Sequence, residues 1–197
     1  MRIVSLALIF CLLIGSQALA ISPINLEVIK EAQLYGTANV KKDYTSFLAP
    51  WMAFEERAPK LDEFAERAYL YTPFLLIAID ARGKAQQGKA VETADSSKTL
   101  ENYSGYVIFS ATLYGGNNAL MQNAVVTVKQ DKRTVKASQS TVEVSKTNWP
   151  DGKPQYMAQC YFYFQEKDIQ TDKPALLRVL TADKQEHTFY FNMDRLK

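Results

Sequence analysis

The sequence predicts a mainly β protein: an antiparallel β-sandwich, immunoglobulin-like or related, with a short helical N-terminal extension packed on it. Roughly seven short strand patterns follow one another from residue 73 onward, and no helical pattern separates them. The segment before them, residues 21–72, has helical character. The alternative is an α+β domain in which these helices cover an open antiparallel sheet.

Residues 1–20 are predicted to be a cleavable signal peptide. A basic residue, Arg2, precedes an almost unbroken apolar run over residues 3–15, and Ala18-Leu19-Ala20 matches the small-residue pattern of a cleavage site. The apolar run is shorter than the roughly 20 residues that a bilayer-spanning helix needs. We therefore expect cleavage between Ala20 and Ile21. Since isoleucine and not cysteine follows the cleavage site, we expect no lipid anchor.

Charge and cysteine content restrict the partners and the cellular location that we expect for this protein. The 23 basic and 21 acidic residues are well mixed, so nothing predicts nucleic acid or an anionic membrane as a partner. Beyond the leader, Cys160 is the one cysteine, and an internal disulfide is therefore excluded. An exported chain without disulfides is typical of the bacterial envelope, which predicts a periplasmic or extracellular location. The predicted domains are residues 21–72 for the helical extension and 73–197 for the sandwich.

The extension contains three predicted features. Ser22-Pro23 is a plausible helix start and Gly36 a plausible stop. Residues 47–54 are rich in large apolar side chains but contain Pro50, so they can form a kinked helix or an edge strand. A second short helix is predicted by an apolar stripe at helical spacing, formed by Leu61, Phe64, Ala65 and Ala68.

Strand patterns dominate after Pro73. Residues 74–79 form a continuous apolar run, as expected of a strand covered on both faces. Residues 104–114 and 157–164 alternate between apolar and other side chains, which indicates longer strands with one face in a core. Shorter strands are predicted at Val126 and Val128, Val135 and Ala137, Val142 and Val144, and in a hairpin whose arms are residues 175–181 and 188–193.

Tyrosines occupy the second face of the two longer strands. Tyr106 and Tyr114 alternate with the apolar residues of the first, and Tyr161 and Tyr163 with those of the second. We expect this face to pack beneath the N-terminal helices, with the hydroxyl groups reaching water or a partner group. The alternative is an exposed surface that binds a ligand or another protein.

The sequence contains few of the residues that nucleophilic catalysis or metal binding requires. The single histidine, His187, is predicted at the start of the last strand on the same face as Phe189 and Phe191, at the rim of the core. Alternation places Cys160 on an apolar face, where a free thiol is inert. One histidine and one cysteine do not make a zinc site. No calcium-binding or phosphate-binding loop pattern is present, so we expect no metal and no cofactor.

Paired carboxylates are the remaining route to catalysis. Glycosidases place two of them roughly 5–10 Å apart across a cleft. Candidates here are Glu55, Glu56, Glu63 and Glu66, with Trp51 as a possible sugar platform. The leading hypothesis is nevertheless a soluble, non-enzymatic binding or accessory protein of the bacterial cell envelope, whose partner is another envelope protein or a glycan. The alternative is a carboxylate-dependent hydrolase that acts on glycans.

Overall fold

A computed structural model describes residues 24–62, 64–149 and 154–196. The predicted signal peptide, the Ala20–Ile21 cleavage site and the Ser22-Pro23 helix start lie outside these residues. The α-helices are α1 (Leu26–Ala38), α2 (Tyr44–Leu48), α3 (Pro73–Gln86) and α4 (Thr93–Asn102). The β-strands are β1 (Met52–Phe54), β2 (Arg67–Tyr71), β3 (Tyr106–Gly115), β4 (Val125–Gln130), β5 (Arg133–Lys136), β6 (Gln139–Lys146), β7 (Tyr156–Gln165), β8 (Ala175–Leu180) and β9 (Glu186–Phe191).

The strands form a sandwich of two antiparallel sheets, which confirms the predicted fold class. The first sheet has the order β1-β2-β3-β7-β6 and the second the order β5-β4-β8-β9. Apolar side chains from both sheets interdigitate in one core. Phe109 of β3, for example, packs edge-to-face against Phe164 in its own sheet and against Phe191 of the other sheet, with ring centroids 5.7 and 5.2 Å apart.

The first sheet is built around the pairing of β3 with β7. These strands pair over ten residues, from Tyr106 opposite Gln165 to Gly115 opposite Tyr156. As the alternating patterns predicted, the apolar face of each strand is buried in the sandwich core. The tyrosine-bearing face points the other way.

Helices form a third layer on the outer face of the first sheet. A second apolar cluster joins α1, α2 and α3 to the tyrosines of β2. Its centre is aromatic: Trp51 stacks on Phe74 with centroids 5.9 Å apart, and Tyr35 lies edge-on to Trp51 at 5.6 Å. Within residues 24–62, 64–149 and 154–196, the helices cover the β1–β2 side of this face and leave the β7–β6 side open.

The continuous apolar run at residues 74–79 is helical, and its prediction as a strand was wrong. It belongs to α3, whose N-cap Thr72 accepts a hydrogen bond from Leu75 N at 3.2 Å. Pro73 occupies the first turn, where a missing N–H costs nothing. The run is apolar all round because α3 is covered on several sides, and a short buried helix and a buried strand look alike in sequence.

The helix predicted from the stripe at residues 61–68 is also wrong. Strand β2 begins at Arg67, while Leu61 and Phe64 are 65% and 49% exposed. Residues 47–54 were predicted to form either a kinked helix or an edge strand, and they form one after the other. The end of α2 is followed by a 3₁₀ turn over Ala49–Trp51 and then by edge strand β1.

Helix α1 continues past Gly36, its predicted stop, to Ala38. It begins at Leu26, and the side chain of the N-cap Asn25 accepts a hydrogen bond from Val28 N at 3.0 Å. The division into residues 21–72 and 73–197 stays a prediction. Strands β1 and β2 precede residue 72, and helices α3 and α4 follow it.

Two helical glycines provide a matched test of how α1 and α3 pack. A Cβ on Gly36 would overlap the carbonyl oxygen of Ala78 in α3, whereas a Cβ on Gly83 would meet no atom within 4 Å. We expect Gly36→Ala to lower the free energy of unfolding by about 1–3 kcal/mol because it overpacks the interface. Gly83→Ala should raise it by about 0.5–1 kcal/mol through helix propensity. Urea unfolding measures both, and an unchanged stability of Gly36→Ala would contradict this packing.

Candidate binding groove

A groove of about 660 Å³ lies where the helical layer stops short of covering the first sheet. Its floor is the outer face of the sheet and its wall is formed by α3 and α4. We call it the tyrosine groove. It is lined by Tyr44, Tyr71, Leu76, Ile79, Asp80, Thr99, Asn102, Tyr103, Ile108, Thr141, Tyr161 and Tyr163.

Strand alternation builds the floor. Tyr71 lies opposite Ile108, Ile108 opposite Tyr163, and Tyr161 opposite Thr141, so side chains from four adjacent strands share one surface. The rings of Tyr71 and Tyr161 are 6.0 Å apart and tilted by 55°. Tyr161 is 36% exposed, whereas Ile108 is buried, so the floor is apolar at depth and carries hydroxyl groups above.

Helical spacing builds the wall. Leu76, Ile79 and Asp80 of α3 follow one another at i, i+3 and i+4 and therefore share one face of that helix. Residues 99, 102 and 103, at the end of α4, repeat the same spacing and present a threonine, an asparagine and a tyrosine. The wall thus offers both apolar contact and hydrogen-bonding groups.

The groove carries little charge. Among its lining residues Asp80 is the one carboxylic acid and no basic residue is present, and Lys84 Nζ lies 2.8 Å from its Oδ2. Lys84 also contacts Asp95 at 2.9 Å and so bridges the two helices. Burial raises the pKa of Tyr71 and of Tyr44 above the ordinary value, which keeps both phenols neutral and able to donate hydrogen bonds.

The tyrosine face predicted on β3 and β7 is largely open. Tyr106 and Tyr161 are 40% and 36% exposed, and Tyr161 and Tyr163 line the groove. The tyrosine that packs beneath the helices, Tyr71, belongs to β2. Tyr114 lies elsewhere, against Trp149 at 4.7 Å between ring centroids. The floor follows from alternation in the sequence. The wall could not be predicted, because the continuous apolar run at residues 74–79 has no period that separates a helix from a strand.

His187 lies at the start of β9, partly buried beside the sandwich core as predicted, but it has a partner that the sequence did not reveal. Its Nδ1 is 2.6 Å from Glu66 Oε2, and Glu66 Oε1 accepts a hydrogen bond from Tyr114 N at 2.8 Å. This pair links the second sheet to the first. In the described part of the chain His187 Nε2 has no hydrogen-bond partner, so no nucleophile completes a triad.

Glu55 and Glu66 both line a cavity of about 350 Å³, but their oxygens are already bonded. Glu55 accepts hydrogen bonds from Arg57 N at 2.6 Å, from Arg57 Nε at 3.3 Å and from Thr188 N at 3.3 Å. Two carboxylates that hold backbone groups are positioned for structural roles. Trp51 is 3% exposed and stacked on Phe74, so it offers no sugar platform. Glu63 lies outside the described residues.

Cys160, the remaining candidate nucleophile, is buried and unreactive. Cys160 is fully buried, and burial raises the pKa of its thiol to about 12, which confirms its prediction as a core residue. Over residues 24–62, 64–149 and 154–196, no three histidine, cysteine or acidic side chains come together as metal ligands. In the same ranges no helix has the length and apolar character needed to cross a membrane.

Comparison with known proteins gives weak similarity. No known protein family matches the sequence, and no curated protein matches it. Among solved structures, the chain is similar to the archaellum periplasmic stator protein FlaG from Sulfolobus acidocaldarius, with 14% identity and a TM-score of 0.31 over 45% of this chain and 87% of that one. A chain of the FlaF and FlaG stator complex from the same organism gives 14% identity and a TM-score of 0.32, over 45% and 79% of the two chains. Similarity at this level establishes neither a shared fold nor a shared function.

The Glu66–His187 contact yields a prediction about stability. Glu66→Gln keeps an oxygen for Tyr114 N but replaces the carboxylate that faces His187, so we expect the free energy of unfolding to fall by about 1–2 kcal/mol. Glu143→Gln, on the exposed strand β6, is the control and should change it by less than about 0.5 kcal/mol. Equal urea midpoints for the two variants would show that the contact does not hold the sheets together.

Proposed function

We propose that this protein is an exported, non-enzymatic binding protein of the bacterial cell envelope, and that the tyrosine groove is its binding site. The observation that carries the proposal is the groove itself. It is a concave, partly exposed surface in which tyrosine side chains surround an apolar floor. Its one carboxylic acid, Asp80, is paired with Lys84, so the groove offers no pair of carboxyl groups for acid–base chemistry.

An extended segment of another envelope protein is the occupant that best fits this chemistry. Tyrosine combines a large, rigid apolar area with a hydroxyl group, and for that reason it is favoured at protein interfaces. Thr99, Asn102 and Thr141 add hydrogen-bonding groups around the rings, and these can pair with the amides of an extended chain. The low charge of the lining favours a neutral segment over a phosphate or carboxylate ligand.

The cellular location that we propose for this binding function is inferred from the sequence. The predicted signal peptide, with cleavage between Ala20 and Ile21, would deliver the chain to the periplasm or the exterior. Beyond the predicted leader the chain contains one cysteine, Cys160, so it has no internal disulfide to stabilise it. Its stability comes from the two apolar clusters instead.

Site-specific photocrosslinking in the native envelope tests the proposal. A photoreactive phenylalanine analogue replaces Tyr161 on the groove floor, or Tyr190 on the outer face of the second sheet as a matched control. Tyr190 is 51% exposed against 36% for Tyr161, so non-specific capture would favour the control. We expect one stoichiometric protein adduct from position 161 and none from position 190.

A second substitution assigns the adduct to the groove. Tyr103→Ala removes an exposed ring from the opposite wall without altering the floor. It should reduce the position-161 adduct by about tenfold, the loss expected for an interface tyrosine worth more than 1 kcal/mol. Adducts of equal yield at positions 161 and 190, or an adduct that Tyr103→Ala leaves unchanged, would contradict the proposal.

A further inference from the structure

Strand β6 is a long open edge in a fold whose other sheet edges are short or occupied. Strand β1 has three residues, and β5 has four, with Arg133 and Lys136 at its ends. The outer edge of β9 is occupied, since Glu56 N donates to Thr188 O at 2.9 Å. Strand β6 runs for eight residues, contains no proline and pairs only with β7 in the described part of the chain. Such an edge is a template for another strand.

The direction of the free hydrogen-bonding groups follows from the ladder with β7. Thr147 N donates to Gln155 O at 2.9 Å, which makes these two residues a hydrogen-bonded pair. Hydrogen-bonded pairs recur every second residue in an antiparallel ladder. The odd-numbered residues of β6 therefore direct their backbone groups toward β7. The even-numbered ones, Ser140, Val142 and Val144 among them, direct theirs toward the open edge.

Two valines lie on one face of β6, whose other side chains are polar or charged. Val142 and Val144 lie opposite Cys160 and Ala158, so they face the sandwich side of the sheet. Val142 is nevertheless 42% exposed. Beside it lies a cavity of about 430 Å³, lined by Asn118, Ala119, Met121, Gln122, Val142 and Val144. An added strand would cover this cavity and Val142 together.

We propose that the occupant of this edge is β6 of a second copy of the chain, paired antiparallel about a two-fold axis with Val142 opposite Val142. In this register Ser140 lies opposite Val144 and Thr141 opposite Glu143. The edge-directed groups of Ser140, Val142 and Val144 in both copies then form about six hydrogen bonds. The two five-stranded sheets become one continuous sheet with both tyrosine grooves on the same face.

The charge of Glu143 and the alternation of side chains between the two faces of the sheet favour the register centred on Val142. Residues that face each other across a ladder lie on the same side of the sheet, so even-numbered residues must oppose even-numbered ones. A pairing centred on Glu143 satisfies this rule but sets two carboxylates directly opposite each other, which is destabilising. A pairing centred on Val144 keeps fewer residues of β6 in register. Centring on Val142 opposes Glu143 with a neutral threonine and buries the most exposed valine.

Cysteine crosslinking tests the register. Opposed residues of a hydrogen-bonded antiparallel pair have Cα atoms about 5.5 Å apart, within disulfide range. In a chain with Cys11→Ser, the buried Cys160 is the one native thiol and should stay unreactive. We expect Val142→Cys to give a disulfide-linked dimer in most molecules under mild oxidation. The control Val144→Cys, which faces Ser140 and not itself, should give at least tenfold less.

A charge variant tests association without a crosslink. Since one pair of edge strands makes only a small contact, the wild-type dimer should be weak and its population should rise through the micromolar range in sedimentation experiments. Val142→Lys sets two ammonium groups face to face on an edge where lysine is tolerated, so it should stay monomeric with an unchanged circular dichroism spectrum. A wild-type chain that remains monomeric at about 0.5 mM, or a Glu143→Cys variant that crosslinks in preference to Val142→Cys, would overturn the proposal.

Discussion

The pairing of β3 with β7 is the constraint on which the rest of the structure depends. Over ten residues these two strands turn their apolar side chains to one side and their tyrosines to the other. The apolar side requires a second sheet to cover it, and that sheet supplies Phe191 against Phe109. The tyrosine side supports a helical layer that covers only part of it. Sandwich, helices and groove thus follow from two alternating strands.

The helical layer is anchored at one side of the sheet, and the groove results from this asymmetry. Gly36 lets α1 approach Ala78 of α3 closely, while Trp51 and Phe74 fill the space toward β2. On the β7–β6 side no helix of the described residues fills the corresponding space, and the tyrosines there remain accessible. Across the sandwich, the contact of Glu66 with His187 links the sheets where β2 begins. A binding surface on a floor held in this way needs little rearrangement to accept a partner.

The sequence predicted what depends on local periodicity and missed what depends on tertiary contacts. The faces of β3 and β7, the burial of Cys160 and the last hairpin follow from alternation alone. Residues 74–79 were misassigned because an apolar run buried on all sides has no period that separates helix from strand. The capping pair Thr72-Pro73 was the signal that could have corrected this. Glu66 and His187 are 121 residues apart, and no local pattern could bring them together.

Native-state hydrogen exchange of the mature protein tests the central role of the β3–β7 pair most directly. If this pair organises both faces, the amides of Phe109, Ala111 and Phe162 should exchange only through global unfolding and be the slowest in the chain. The amides of Val142 and Val144, directed to the open edge of β6, should exchange many-fold faster when the chain is monomeric. Amides of β3 and β7 that exchange as fast as those edge amides would contradict the account.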